Sequence, residues 1–170
     1  MIQDIQTDPL LFIFSLLSLI IAISVHEFSH AIVADRLGDP TPQLQGRVTL
    51  NPMAHIDLLG IAMILLVGFG WGKPVQFDPF NLRHPRKDAA FISIAGPLSN
   101  LIMALVGAGL FHLLLNTVYT SMSESIYSVA VNILLNFLVT FVLMNIRLCV
   151  FNLIPIHPLD GFKIVGGFLS

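Results

Sequence analysis

Apolar positions run along this chain in long unbroken stretches, without the alternation of a half-buried strand or the single stripe of a surface helix. Leu10 to Val25 holds only apolar and hydroxyl residues. Joined to the polar cluster His26–His30 and to Ala31–Ala34, it predicts one helix of about two dozen residues. No lysine or arginine precedes this run and no small-residue cleavage site is evident, so it reads as a retained span. Two further runs, Ala89 to Leu115 and Ile126 to about Ile154, also exceed the ~20 residues needed to cross a ~30 Å hydrocarbon core. Leu58–Trp71 has only 14 residues, which is short for a span and suits a segment that dips in and returns. Gly38–Asp57 and Gly72–Pro85 are rich in turn residues, and within them Gln45–Leu50 and Pro74–Phe77 alternate enough to predict short strands. The expected fold is an all-α polytopic membrane protein with about three full transmembrane helices, a short re-entrant segment and short membrane-associated strands.

Charge placement orients these segments. If Leu58–Trp71 returns, Arg36, Arg47, Lys73, Arg83, Arg86 and Lys87 lie on one side, and two further crossings bring Arg147 and Lys163 back to it. All eight basic residues then share one face, which the positive-inside rule makes cytoplasmic. The N-terminus and the Asn116–Ser125 loop lie outside. A crossing by Leu58–Trp71 is the alternative, and it would split the basic residues between the faces.

Composition narrows the class further. The chain of 170 residues is 55% hydrophobic and only 11% charged, against roughly 25% charged in soluble domains. A net charge of −2 offers no basic face for nucleic acid. The single Cys149 excludes a disulfide framework and a Cys-only zinc site.

Against this background His26-Glu27-Phe28-Ser29-His30 stands out as H-E-x-x-H. Residues i and i+4 share a helix face, so both imidazoles reach one metal ion and Glu27 sits beside the water that the ion activates. Ionisable residues inside a membrane helix are costly and mark function. The alternative is a buried His26–Glu27 hydrogen-bonded pair with His30 reaching the interface. A catalytic zinc needs a third protein ligand. The last span ends on the same side as His26 and His30, in Asn152-Leu153-Ile154-Pro155-Ile156-His157-Pro158-Leu159-Asp160-Gly161, where prolines and a glycine break the helix and can aim Asp160 back. A helix-capping role is the plain alternative for Asp160. Gly96-Pro97-Leu98-Ser99-Asn100 lies at the same depth on the second span. Gly96 and Pro97 read foremost as packing residues, and Asn100 brings an amide to the site.

These motifs, HEFSH, AGPLSN and NLIPIHPLDG, together with NPMAHIDLLG and WGKPV, resemble the site-2 proteases, the intramembrane zinc metalloproteases, in their small bacterial and archaeal branch without a PDZ domain. The likeness covers about Ser24 to Gly161. It implies one Zn2+ per chain held by His26, His30 and Asp160, with Glu27 activating water and Asn152 positioning the scissile carbonyl. It further implies that the region around Arg47–Asn51 forms strands that pair with an unwound substrate, so that Arg47 and Asn51, with Asn100, are expected to touch substrate. The implied substrate is a single-pass membrane protein cut within or near its span, in regulated proteolysis or in clearance of remnant peptides. The implied place is the prokaryotic inner or plasma membrane, with the site toward the cytoplasm and homo-oligomerisation open. His157 departs from the branch pattern, which has a proline there, and reads as interfacial rather than as a neighbour of the site. Relatives commonly continue beyond Asp160, so 1–170 reads as a single metalloprotease domain that is either trimmed at its C-terminal end or unusually short. Two rival functions remain: a catalytically silent protein of the same fold that holds a client helix, and a metal transporter. The second fits less well, because the ionisable cluster is confined to one half and no repeat is visible.

Among the remaining polar residues, His55 and Asp57 read equally as partners of the site or as interfacial caps. His84 belongs to a basic loop that faces solvent or headgroups. His112 lies roughly 24 Å along its helix from Gly96, too far to join. Asn132, Asn136 and Asn145 read as interhelical hydrogen-bonding residues.

Overall fold

The computed structural model describes residues 7–67, 71–121 and 127–169. Its first helix, α1 (Pro9–Arg36), starts where Asp8 accepts the Leu11 N–H at 3.0 Å with proline at the first position, a combination that satisfies an otherwise orphaned amide. It stops in a glycine turn. Gly38, at φ +105°, sends its N–H to the Asp35 carbonyl while the Asp39 N–H reaches Ala34, closing the last turn with two carbonyls satisfied. The short α2 (Thr41–Leu44) and a 3-10 turn at Pro52–Ala54 follow, then α3 (Leu58–Val67), a second 3-10 turn at Pro79–Asn81, and α4 (Pro85–Ser121). The chain closes with α5 (Tyr127–Asn152) and α6 (Asp160–Phe168).

Three of these helices, within α1, α4 and α5, are long and apolar enough to cross a membrane. They match the expected spans, although α4 begins at Pro85 and runs to Ser121, absorbing part of the expected Asn116–Ser125 loop; positions 122–125 lie outside the described residues. The long helices pack on one another and α6 lies against α4. Where α4 meets α5, Gly107 lets Val142 come so close that a Cβ would fall 2.9 Å from its Cγ2. The outer surface of this bundle is apolar, unlike that of a soluble one, and its interior holds polar as well as apolar side chains. Asn100 and Asn145 are fully buried and bonded to one another, whereas Ile13, Leu17, Leu105, Val106, Leu113 and Val129 are exposed. Hydrocarbon solvates such a surface, while buried polar groups must find partners inside.

The excursion through α3 ends close to where it begins. The Trp71 carbonyl lies where a Cβ of Gly60 would be, and the Lys73 N–H donates to the His55 carbonyl at 2.8 Å. Positions 68–70 of the expected re-entrant segment lie outside the described residues.

The expected strands are not present: among the described residues there is no β-strand. Residues 45–50 fold into local turns, with Gly46 at φ +66° and the Arg47 N–H bonded to the Pro42 carbonyl. Residues 74–77 are extended but lack a ladder, since Pro74 has no N–H and the Val75 N–H goes to a side chain, Glu27. In 74–77 the alternation matches burial, with Val75 buried between exposed Pro74 and Gln76, whereas in 45–50 the buried residue is Arg47 and Leu50 is exposed.

Candidate metal centre

His26 and His30 sit one turn apart near the end of α1, their rings edge to face with centroids 4.6 Å apart. The break between α5 and α6 returns the chain so that Asp160, the first residue of α6, faces them. The atoms His26 Nε2, His30 Nε2 and Asp160 Oδ2 form a triangle with edges of 3.0, 3.1 and 3.2 Å. Ligands 2.0–2.1 Å from a tetrahedral ion would stand about 3.3 Å apart. The triangle is close to that size.

The other nitrogen of each ring decides what these atoms offer. His26 Nδ1 donates to Asn100 Oδ1 at 2.6 Å, and His30 Nδ1 donates to the Ile92 carbonyl at 2.7 Å. Protons fixed on both Nδ1 atoms leave two Nε2 lone pairs pointing at each other and at a carboxylate, in a site where both histidines are buried. Such a set of facing acceptors is satisfied by a cation, and the pinned Nδ1 protons are the outer hydrogen bonds that orient metal-binding imidazoles. Space agrees with chemistry. A Cβ on Gly96 would fall 2.6 Å from His26 Cε1 and Nε2 and would press on His30 Nε2, so α4 can approach the imidazoles only with glycine there. The donor set therefore fits a divalent metal ion.

Glu27 lies beside this triad on α1 and is held by an extended segment: its Oε2 accepts the Val75 N–H at 2.9 Å. Asn100 was expected to meet substrate, but it is fully buried and both ends of its amide are engaged, by His26 through Oδ1 and by Ala22 and Asn145 through Nδ2. It turns its oxygen to the His26 ring. Arg47 is buried and braces loops, donating to the carbonyls of Ala54 and of Pro74. Asn51 caps the turn at Pro52–Ala54 through the Met53 N–H, at 3.1 Å. Asn152 ends α5 with its amide donating to Leu148 of the same helix at 3.0 Å, not to the triad. His55 is fully buried and tied to the Thr49 carbonyl, Asp57 caps α3, and His157 lies exposed against the Phe162 ring.

Sequence reasoning passed over two contributors, Ile92 and Val75, and found a third, Asn145, as an interhelical hydrogen-bonding residue. Ile92 acts through its backbone carbonyl, which no side-chain pattern reveals. Val75 likewise acts through its amide. Asn145 was visible as a polar residue in a span, but its partner was not.

The buried His26 and His30 and the half-buried Asp160 bring the first membrane helix and the chain after the last into a cluster of the kind that holds a metal ion in a membrane-embedded metalloprotein. Residues 14–170 match peptidase family M50, and the chain belongs to that family, the site-2 proteases. It is 39% identical over 149 residues to the Bacillus subtilis protein named "Putative zinc metalloprotease YwhC", covering 88% of this chain and 66% of that one. Two proteins named "Putative zinc metalloprotease Rip2" are also similar. That of Mycolicibacterium smegmatis is 26% identical, covering 89% of this chain and 55% of its own, and that of Mycobacterium tuberculosis is 28% identical, covering 84% and 52%. The chain thus spans between about half and about two thirds of these relatives. No solved structure gives a significant match.

Proposed function

We propose that this chain is an intramembrane zinc metalloendopeptidase that hydrolyses peptide bonds within or near the transmembrane segment of single-pass membrane proteins. The observation that carries the reading is the triangle of His26, His30 and Asp160 ligand atoms, 3.0–3.2 Å on a side, with both Nδ1 protons pinned and a carboxylate next in sequence. The zinc metalloprotease names of the relatives support the choice of metal. When bound, zinc supplies Lewis acidity, polarising a carbonyl and letting water lose a proton near neutral pH.

The chain's own residues do the rest. Glu27 takes a proton from the attacking water and gives it to the leaving amine. The Val75 N–H holds Oε2, which leaves Oε1 for that proton. Asn152, at the start of the break before Asp160, positions the scissile carbonyl. The return of Trp71 to Gly60 supports a Leu58–Trp71 segment that dips in and comes back. With it, all eight basic residues fall on one side, which supports a triad toward the cytoplasmic half of a prokaryotic plasma membrane.

Elemental analysis of the detergent-purified protein tests the site without knowledge of the substrate. The expected result is about one zinc per chain, strongly reduced in His30→Ala and in Asp160→Ala. Co-reconstitution with single-pass test segments then tests cleavage. A parent that holds zinc yet cuts none of a broad panel, while retaining one segment on affinity capture, would favour the client-binding alternative.

A further inference from the structure

The metal triad is the innermost part of a longer polar chain. His26 Nδ1–H donates to Asn100 Oδ1 at 2.6 Å, Asn100 Nδ2 donates to Asn145 Oδ1 at 2.9 Å, and Asn145 Nδ2 donates to the Phe141 carbonyl one turn back on its own helix at 2.9 Å. The three side chains come from α1, α4 and α5, and Asn100 and Asn145 are fully buried. The order of donors and acceptors along this chain has a direction. An asparagine amide presents an oxygen at one end and a nitrogen at the other, so its orientation is chosen by its partners. Asn100 can show its oxygen to His26 only if its nitrogen has acceptors on the far side. These are Asn145 Oδ1 at 2.9 Å and the Ala22 carbonyl at the longer distance of 3.3 Å. The orientation of Asn145 is set in turn by the Phe141 carbonyl, which accepts only from the nitrogen end.

We infer that Asn145 is a positioning residue for the metal site: through Asn100 it fixes His26 as the Nδ1–H tautomer, with the Nε2 lone pair directed at the ion. The inference rests on the metal-site reading above. Without Asn145, Asn100 keeps only the weaker of its two acceptors. The amide is then freer to turn its nitrogen toward His26, which favours the opposite tautomer, with the proton on the ligating atom. The ion must displace that proton to bind.

Zinc affinity separates this role from simple packing. It is measured by competition with a chromogenic chelator on the full chain in detergent, alongside 15N spectra of the histidine side chains. Asn145→Leu and Asn145→Ser remove the acceptor. Serine is well suited to a span, since Ser24 and Ser29 already bond carbonyls of α1 four residues back. Asn145→Asp in its protonated form retains a carbonyl oxygen toward Asn100 and an O–H toward Phe141. The expected result is zinc binding weakened on the order of threefold to tenfold in the leucine and serine variants, less than the 10–100-fold typical of groups that touch a ligand directly. The spectra are expected to show a shift of His26 away from the Nδ1–H form, and the aspartate variant is expected to stay within about twofold of the parent. A folded leucine or serine variant with parental affinity and an unchanged His26 signature overturns the inference, as does an aspartate variant as weak as leucine. Should leucine prevent folding, serine and aspartate decide. A parent that binds no zinc instead overturns the metal-site reading itself.

Discussion

Single atoms decide what this site tolerates. Gly96 lies in a helix interior, where alanine is ordinarily preferred by about 1 kcal/mol. Here a Cβ would stand 2.6 Å from His26 Nε2 and would press on His30 Nε2, crowding the two nitrogens that face Asp160. Gly96→Ala is therefore expected to leave helix content unchanged or slightly raised, by circular dichroism, while zinc content falls sharply. Glu27→Gln has the opposite profile. Glu27 is not a member of the ligand triad, so the variant should keep its zinc, and cleavage of any accepted substrate should fall by about 10²–10⁴-fold, the usual worth of general acid–base assistance. Full cleavage by that variant would remove Glu27 from the chemistry. The H-E-x-x-H spacing made both histidines and Glu27 legible, because a helix fixes which residues share a face. The direction of each imidazole was not legible, because it depends on Asn100 and on the Ile92 carbonyl, 74 and 62 residues away from their histidines.

At the scale of elements, the loops around the site are held by side chains in place of strand pairing. Asp39 is fully buried and accepts from Thr41 Oγ1 and the Thr41 N–H, from Asn81 Nδ2 and from the Asp78 N–H. It thereby ties the end of α1 to the segment leading into α4. Burial alone pushes its carboxyl up, but the hydrogen bonds from Thr41, Asn81 and Asp78 outweigh it and bring the group below the ordinary carboxylate value. A folded-state pKa below the unfolded one means stability that is present above about pH 3.9 and lost as the pH falls through the folded value. Asp39→Asn keeps one acceptor oxygen but turns an NH2 donor toward an N–H at the other position, and should cost about 1–3 kcal/mol at pH 7. Its thermal midpoint should also fall less than the parent's between pH 5 and pH 3, and an equal acid slope in both proteins would exclude Asp39 as the titrating brace. These loops show where sequence reading stopped. The alternation of Gln45–Leu50 and Pro74–Phe77 pointed to strands that these residues do not form, and the partners of Arg47, the carbonyls of Ala54 and Pro74, are backbone groups with no signature in sequence. The three spans were legible because crossing hydrocarbon imposes length and apolarity on every residue of a helix. Their closeness at His26, Asn100 and Asn145 could be anticipated only as a shared depth.

For the whole molecule, the metal triad joins the two ends of the fold. His26 and His30 belong to the first long helix and Asp160 to the last short one, 134 residues after His26. Around that junction the interior is held by small residues and a few amides, since hydrocarbon gives apolar side chains no reason to prefer the bundle core. An ion bound between α1 and α6 then contributes to stability by mass action, because the unfolded chain presents no preformed triad. At free zinc 100 times the dissociation constant the gain is about 2.7 kcal/mol, rising to about 4.1 kcal/mol at 1,000 times. Zinc titrated into chelator-treated protein should therefore raise the thermal midpoint progressively and slow proteolytic cutting between Asn152 and Asp160. Asp160→Ala should show neither response at the same concentrations, and Glu27→Gln should show both in full. A midpoint that rises equally in the parent and in Asp160→Ala would mean that the ion acts elsewhere on the chain and that Asp160 does not close the site.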